Sequence, residues 1–291
     1  GSLLKPKFPA ALSCRTHALG RIFDVLGALL GQRAPEFLSA AGFSSSPHLM
    51  YSGYDKNDEW FQLFQIGFGG IPGRPFGDGT DGHSLWPGFT NVPNEFLEAY
   101  FPLRIERYES IADSGGAGKF RGGNGISIHY HFLEKGTIAI HDDRWFIYPW
   151  GVNGGTPGQR SHKSIIRTDG REEVLPSKCD DIEVHEGDVL IYNTWGGGGW
   201  GNPLEREADL VALDVKRGLV TAEGAKRYGV VLDASGAVDQ AATEQLRADM
   251  ADSICTDVFN YGPDLETLRK NCKAETGLDA PVQPTWDKKT A

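Results

Sequence analysis

Glycine constrains this chain more than any other residue type, because it is concentrated in two signatures rather than spread through loops. The first runs Gly67-Phe-Gly-Gly-Ile-Pro-Gly-Arg-Pro-Phe-Gly-Asp78-Gly-Thr-Asp81-Gly-His83-Ser-Leu-Trp86-Pro87. The second runs Asp113-Ser-Gly-Gly-Ala-Gly-Lys119-Phe-Arg121-Gly-Gly-Asn124. Glycine loses the most conformational freedom on ordering, so such runs are costly unless a positive φ or a close backbone approach requires them. The first signature also carries two acids and a histidine within six residues, an arrangement suited to a site.

The 291 residues suffice for a full core in one or two domains, and 23% charged residues with 40% hydrophobic ones are those of a globular protein. A net charge of -10 argues against a nucleic-acid partner. No apolar run approaches the ~18 residues of a membrane span, and Lys5-Pro6-Lys7 breaks any apolar start of the signal-peptide kind. Cys14, Cys179, Cys255 and Cys272 form no CxxC pair, which favours free thiols and a cytoplasmic location over disulfides or a zinc site. The chain opens Gly1-Ser2 and has methionine only at Met50 and Met250, so a fragment or processed chain is expected.

Apolar residues at three and four spacing (Leu19, Ile22, Phe23, Leu26, Leu29, Leu30) predict an amphipathic helix from Arg15 to Leu30, closed by Gly31. A short helix is expected over Pro35–Ala41. Strands are expected at 49–52, 60–66, 103–110, 164–168 and 188–193. The runs 125–133 and 137–141 read as a hairpin around Glu134-Lys135-Gly136. Strands at this spacing without helical crossovers imply antiparallel sheet. From Trp195 the character changes. Helices are expected from Leu204 to Arg217, from Thr221 to Tyr228 and from Asp239 onward, with a brief strand at 230–232 and fraying beyond Cys272. The fold class is therefore α+β. An antiparallel, sandwich-like β-sheet core flanked by helices occupies residues 1–200, a helical C-terminal segment 201–275, and a disordered tail 276–291.

Gly118-Lys119 fails as a phosphate loop, since Asp113 stands where a glycine is needed and Phe120 replaces the Ser/Thr that holds magnesium. That stretch and the Gly196–Gly199 run read as tight turns. His129 and His131 share one strand face and could reach one metal, with Glu134 near the cupin spacing, or could simply be solvent-facing polar positions. His141-Asp142-Asp143-Arg144-Trp145 could supply a base or metal ligands, or a structural Asp–Arg pair stacked on Trp145. Asp78, Asp81 and His83 are candidates for a ligand site between glycines, or aspartates that stabilise turns.

Together these motifs resemble the hydantoinase B/oxoprolinase family. The resemblance rests on Ser44-Ser-Ser46, Gly69-Gly70 through Asp81-Gly82, Glu95–Glu98, Pro102–Glu106 and Asp113–Gly118 with Arg121-Gly-Gly. It continues through Gly187-Asp188, Gly196–Gly201 with Pro203-Leu204, Asp214–Val220 and Tyr228–Leu232, covering roughly Phe8 to Leu232. His83 with Trp86-Pro87, His141–Trp145, Pro149–Val152 and Leu175–Asp180 look like the branch of acetophenone and acetone carboxylases. The resemblance implies a subunit working beside a hydantoinase A-type ATP-binding subunit, which phosphorylates a carbonyl-like oxygen before carboxylation or ring opening. ATP and Mg are then expected on the partner, with no cofactor on this chain. A divalent metal, Zn or Mn, is expected in an N-terminal half that nothing here matches, so the chain looks like the C-terminal half and is expected to be inactive alone.

The leading expectation is a B-type subunit of an ATP-dependent ketone carboxylase acting on a small carbonyl substrate. ATP-dependent cyclic amide hydrolysis, of the N-methylhydantoinase or 5-oxoprolinase kind, and a purely structural half are the alternatives. Asp78, Asp81, His83, His141, Asp142 and Arg144 are the expected site residues. Arg144 is suited to an oxyanion because a guanidinium meets one bidentately.

Overall fold

In a computed structural model, residues 5–10, 15–42, 47–83 and 90–282 are described. Two antiparallel sheets form the body. Strands β1 (His48–Tyr54), β2 (Trp60–Ile66), β5 (Gly136–His141) and β9 (Lys178–Val184) make a four-stranded sheet in the order β2-β1-β5-β9. Strands β3 (Leu103–Ser110), β4 (Ile126–Phe132), β7 (His162–Ile166), β8 (Glu172–Val174) and β10 (Val189–Asn193) make a five-stranded sheet in the order β3-β4-β10-β7-β8. The short β6 (Gly151–Val152) and β11 (Phe259–Asn260) pair separately.

Alternation along the strands explains the packing. On β4, Ile126, Ile128, Tyr130 and Phe132 point into the core, and on β2 Phe61 and Leu63 do the same. One continuous apolar cluster joins Leu49, Tyr51, Ile138 and Ile140 of the first sheet to Leu103, Phe132, Leu190 and Tyr192 of the second. This is a sandwich held by interdigitated side chains, the arrangement expected from the sequence.

The hairpin expectation fails. β4 pairs with β3 and β10, whereas β5 pairs with β1 and β9, so Glu134-Lys135 carries the chain from one sheet to the other. Both strands have an apolar face that a different sheet can cover, and burying both against the shared core outweighs local pairing. The Tyr51 hydroxyl donates to the Glu134 carbonyl at 2.8 Å and fixes this crossing.

The glycine signatures form a layer of extended backbone beside the sandwich. The segments 69–79, 114–125, 149–158 and 195–200 run against one another, exchanging main-chain hydrogen bonds such as Gly197 N to Gly123 O (2.9 Å), Gly123 N to Ile71 O (2.8 Å) and Gly73 N to Gly198 O (2.8 Å). A Cβ on Gly70 would lie 1.9 Å from Gly123 O, and one on Gly122 would lie 1.9 Å from Gly197 O. Neither glycine has a positive φ. Close approach of backbone to backbone is therefore what demands glycine here. Gly196–Gly199 is extended and packed, not a tight turn.

Helix α1 (Arg15–Gly31) forms as expected, but its apolar face does not enter the core: Leu26 is 47%, Leu29 56% and Leu30 70% exposed. Its polar residues His17, Arg21 and Asp24, at helical spacing, dock on the body instead. Helix α2 (Asn94–Tyr100) buries Leu97 beside β3.

Beyond residue 203, α3 (Ala208–Lys216) and a 3₁₀ turn at Gly224–Tyr228 pack Val211, Val220, Tyr228 and Val230 against Ala117. Asp239 caps α4 (Gln240–Met250) by accepting from Ala242 N. The N-cap of the 3₁₀ turn is Glu223, without a side-chain cap bond, and Thr221 accepts from Gly224 N from two residues further back. Residues 230–232 form only a single bridge, Leu232 to Val238, rather than a strand. The expectation of fraying beyond Cys272 is wrong as far as the described residues run. Helix α5 (Leu265–Thr276) continues through Cys272, which is buried, and ends on Gly277 in the left-handed conformation. Asp264 caps its start by accepting from Thr267 N. Cys179, Cys255 and Cys272 are free thiols, while Cys14, Ser44–Ser46, Trp86, Pro87 and residues 283–291 lie outside the described residues.

Candidate functional site

Two ionic networks hold the residues singled out from the sequence. The first lies at the edge of the glycine layer. Asp81 accepts from both Nη atoms of Arg121 (2.7 and 2.9 Å) and from Asn124 N (2.7 Å). Asp78 accepts from both Nη atoms of Arg206 (2.7 and 2.8 Å) and from Arg121 N (2.9 Å). Asp214 of α3 takes a further bond from Arg206 Nη2 at 2.8 Å and stands 3.4 Å from Arg121 Nε. Burial alone would weaken the charge on both guanidiniums. Asp81 beside Arg121, and Asp78 beside Arg206, outweigh it and raise both above the ordinary arginine value.

This network ties the first glycine signature to the second and both to the C-terminal segment. Asp78 and Asp81 are engaged bidentately, the strongest form of such pairing, so they hold geometry rather than stand ready as bases. His83 lies two residues beyond Asp81. Its main chain bridges Gly69 through bonds of 2.7 and 3.0 Å, and the residue is exposed.

The second network lies under α1. Arg144 has φ +60, donates from Nη2 to Asp24 (2.7 Å) and from Nη1 to the Tyr148 carbonyl (3.3 Å), and lies 5.0 Å from the Trp150 ring centroid. The stacking partner is thus Trp150, not Trp145. Burial, then the like charge of Arg21, brings Arg144 down to about 10, which leaves it cationic at neutral pH. Asp142 is fully buried and accepts from Lys163 Nζ, itself bonded to the Asn193 carbonyl (2.9 Å) and 4.4 Å from the Tyr192 ring centroid. Burial lowers the Lys163 pKa, opposed by Asp142. Asp143 binds Lys178 at 3.1 Å. Burial would raise its carboxyl, but Lys178, Arg21 and His17 hold it below the usual range.

Three histidines meet at the same place. The register pairs His48 of β1 with His141 of β5, their rings 4.8 Å apart, and His17 of α1 lies 5.5 Å from His48. His17 Nε2 donates to the His141 carbonyl (3.2 Å), and His141 Nε2 lies 3.1 Å from Asp180 Oδ1. His17 and His48 are the members of this cluster that sequence reading did not single out. No local spacing marks them, because the register and the docking of α1 bring them together.

The hydrogen bonds and ion pairs of Asp78 and Asp81 run to Arg121, Asn124 and Arg206, while those of Asp142 and Arg144 run to Lys163, Asp24, and the Tyr148 carbonyl. The expected site residues therefore fall into two networks instead of one constellation. On β4, His131 Nδ1 meets Glu106 at 2.5 Å, and His129 faces Arg107 across the strand pair. Among the described residues no group of three or more His, Cys, Asp or Glu could hold a metal ion. The described part of the chain thus does not fit the divalent metal implied by the family resemblance. Nor is any helix among these residues long and apolar enough to cross a membrane.

Comparison with known proteins bears on the fold and the family. The chain is 30% identical over 273 residues to the beta chain of the caprolactamase of Pseudomonas jessenii, covering 85% of this chain and 45% of that protein. It is 33% identical over 251 residues to the B component of a proposed D-/L-hydantoinase of a Pseudomonas species, covering 85% and 42% respectively. The chain thus spans less than half the length of these relatives. Among solved structures, the ATP-dependent caprolactamase of P. jessenii superposes with a TM-score of 0.65 at 29% identity, over 75% of this chain and 40% of that one. Acetone carboxylase superposes with a TM-score of 0.61 at 21% identity, over 82% and 36%, a likeness of fold. The model of the hydantoinase B/oxoprolinase family matches residues 1–203, and the chain belongs to that family.

Proposed function

We propose that this chain forms part of the B-type subunit of an ATP-dependent multi-subunit enzyme that opens a cyclic amide. The supporting observation is its 30% identity to the beta chain of a caprolactamase together with the shared fold of that ATP-dependent enzyme. A hydantoinase A-type partner would bind ATP and Mg, consistent with the lack of any phosphate-loop motif in this sequence. The divalent metal would be held outside the described residues.

In this reading Asp78, Asp81, Asp142 and Arg144 are positioning residues. Each spends its charge on an internal partner and so fixes the glycine layer and the seat of α1. His83 is exposed, and Asp78, Asp81 and His141 are partly so, so a substrate or a partner could reach them at the surface.

Ketone carboxylation is the second reading, supported by the resemblance of the His141–Trp145 and Pro149–Val152 stretches to the carboxylase branch. The complete B-type subunit is assembled with its ATP-binding partner and offered caprolactam, hydantoin or 5-oxoproline, and separately acetone with labelled bicarbonate. Ring-opened product formed with ATP consumption is the expected result. Label fixed into a carboxylic acid, with no ring opening, would replace this reading by the second.

A further inference from the structure

A cleft of about 360 Å³ opens beside the Asp142–Lys163 pair, and the function proposed above makes no use of it. Trp145, Tyr148 and Leu175 give it apolar walls, and Lys163 and His162 line it on β7. Arg160 supplies its anchor. The guanidinium lies 4.7 Å from the Tyr148 ring centroid, and its side chain is only 14% exposed. Stacking of this kind fixes the plane of the guanidinium and presents its N–H donors in one direction. They meet the Glu275 carboxylate, from the last turn of α5.

The two partners differ in a way that matters. Arg160 is held within the wall, whereas Glu275 is 45% exposed at the rim. An exposed carboxylate on such a pair is weakly held, because solvent screens it and ordering the side chain costs entropy. A soluble carboxylate can therefore take its place without disturbing the arginine. Glu275 can also leave without unfolding its helix. The helix is fixed by Leu268 and Cys272, packed with Phe146 and flanked by Trp145 and Tyr148, and Gly277 closes it one residue after Thr276.

The neighbouring groups leave the charge of Arg160 as the one that decides what the cleft takes. Lys163 is neutralised by Asp142. Burial pushes His162 below its ordinary pKa, with Glu172 acting in the opposite sense, so near neutrality it adds a polar and uncharged edge. Arg160 and the family match coincide in the first 203 residues, while Glu275 lies outside that match.

We propose that this cleft binds a small-molecule carboxylate with a flat apolar body, and that Glu275 occupies the carboxylate position in its absence. The carboxylate would pair with Arg160 while the apolar body lies between Trp145, Tyr148 and Leu175. The inference stands on the cleft alone and does not depend on which reaction the assembled enzyme performs.

Benzoate is the probe, titrated into the 291-residue chain and into its Glu275→Gln form by calorimetry and tryptophan fluorescence. Benzamide serves as the uncharged isostere. Glu275→Gln should bind benzoate about twofold to sixfold more tightly than the unaltered chain, as expected when a weakly held internal competitor is removed. Benzamide should show no saturable binding, and Arg160→Lys added to Glu275→Gln should reverse the gain while leaving the melting temperature within a few degrees. Equal benzoate affinity with and without Glu275, equal binding of benzamide, or no binding in either form would each overturn the proposal. Glu275 lies at the rim, so its substitution tests the site without threatening the fold.

Discussion

The sandwich and the glycine layer bury backbone and side chains by opposite means. Between the sheets, Ile128, Tyr130, Phe132 and Leu190 are at most 2% exposed, and large side chains fill the space. In the glycine layer the space between neighbouring segments is too narrow for a methyl group, and main-chain hydrogen bonds replace side-chain contact. A sandwich core tolerates exchange of one apolar side chain for another of similar volume. The glycine layer has no such slack. Its edges are held instead by charge, through Asp78, Asp81, Asp214 and the two arginines they bind.

The largest effect short of the layer itself should follow from removing a cation that clasps the edge of the glycine layer to the C-terminal segment. Arg206→Ala leaves Asp78 and Asp214 without their shared partner, the latter 8% exposed, and should cost about 3–5 kcal/mol in denaturant unfolding. A loss below ~1 kcal/mol would mean that the layer does not need this clasp. In the sandwich, Ile128→Val removes one buried methylene and should cost about 1 kcal/mol with an unchanged denaturant slope.

Gly27 provides the control. It lies within α1 with no atom within 4 Å of a built Cβ, so Gly27→Ala should stabilise the chain by about 0.5–1 kcal/mol. Destabilisation there would show that glycine in this chain is demanded by something other than close approach.

The smallest effect is with pH. Burial lowers the pKa of His17, His129 and His162 in the folded chain, with Arg107 adding to it at His129. Below about pH 6.5 the unfolded chain then binds more protons than the folded one, so stability falls as pH drops through that value toward the folded pKa values. Melting temperature should decline on that side, and His17→Gln should flatten the decline. An unchanged slope would remove His17 from the account.

Much of the sandwich was legible because alternation is a local property. Ile126 to Phe132 announces its buried face whatever it pairs with. Partner choice is not local, and so the turn signal at Glu134-Lys135-Gly136 suggested a hairpin where the chain in fact changes sheets. Asp78 and Asp81 stood out by clustering, but the arginines that engage them are 128 and 40 residues away in sequence, at no spacing a motif could reveal. Helix α5 carries both its caps, Asp264 and Gly277, yet its polar composition hid it, since only Leu268 and Cys272 are buried. The glycine runs were visible at once. What they approach closely proved to be each other.

Gly122→Ala tests the central claim most directly, through its unfolding free energy measured beside that of Gly27→Ala. A Cβ at Gly122 would fall 1.9 Å from the Gly197 carbonyl oxygen, and both are backbone in a packed layer. The account predicts a loss of about 3 kcal/mol or more, or failure to fold, beside a gain at Gly27. Wild-type stability in Gly122→Ala, with activity lost only in the assembled enzyme, would contradict it and return the glycine signatures to the role of a ligand-binding loop.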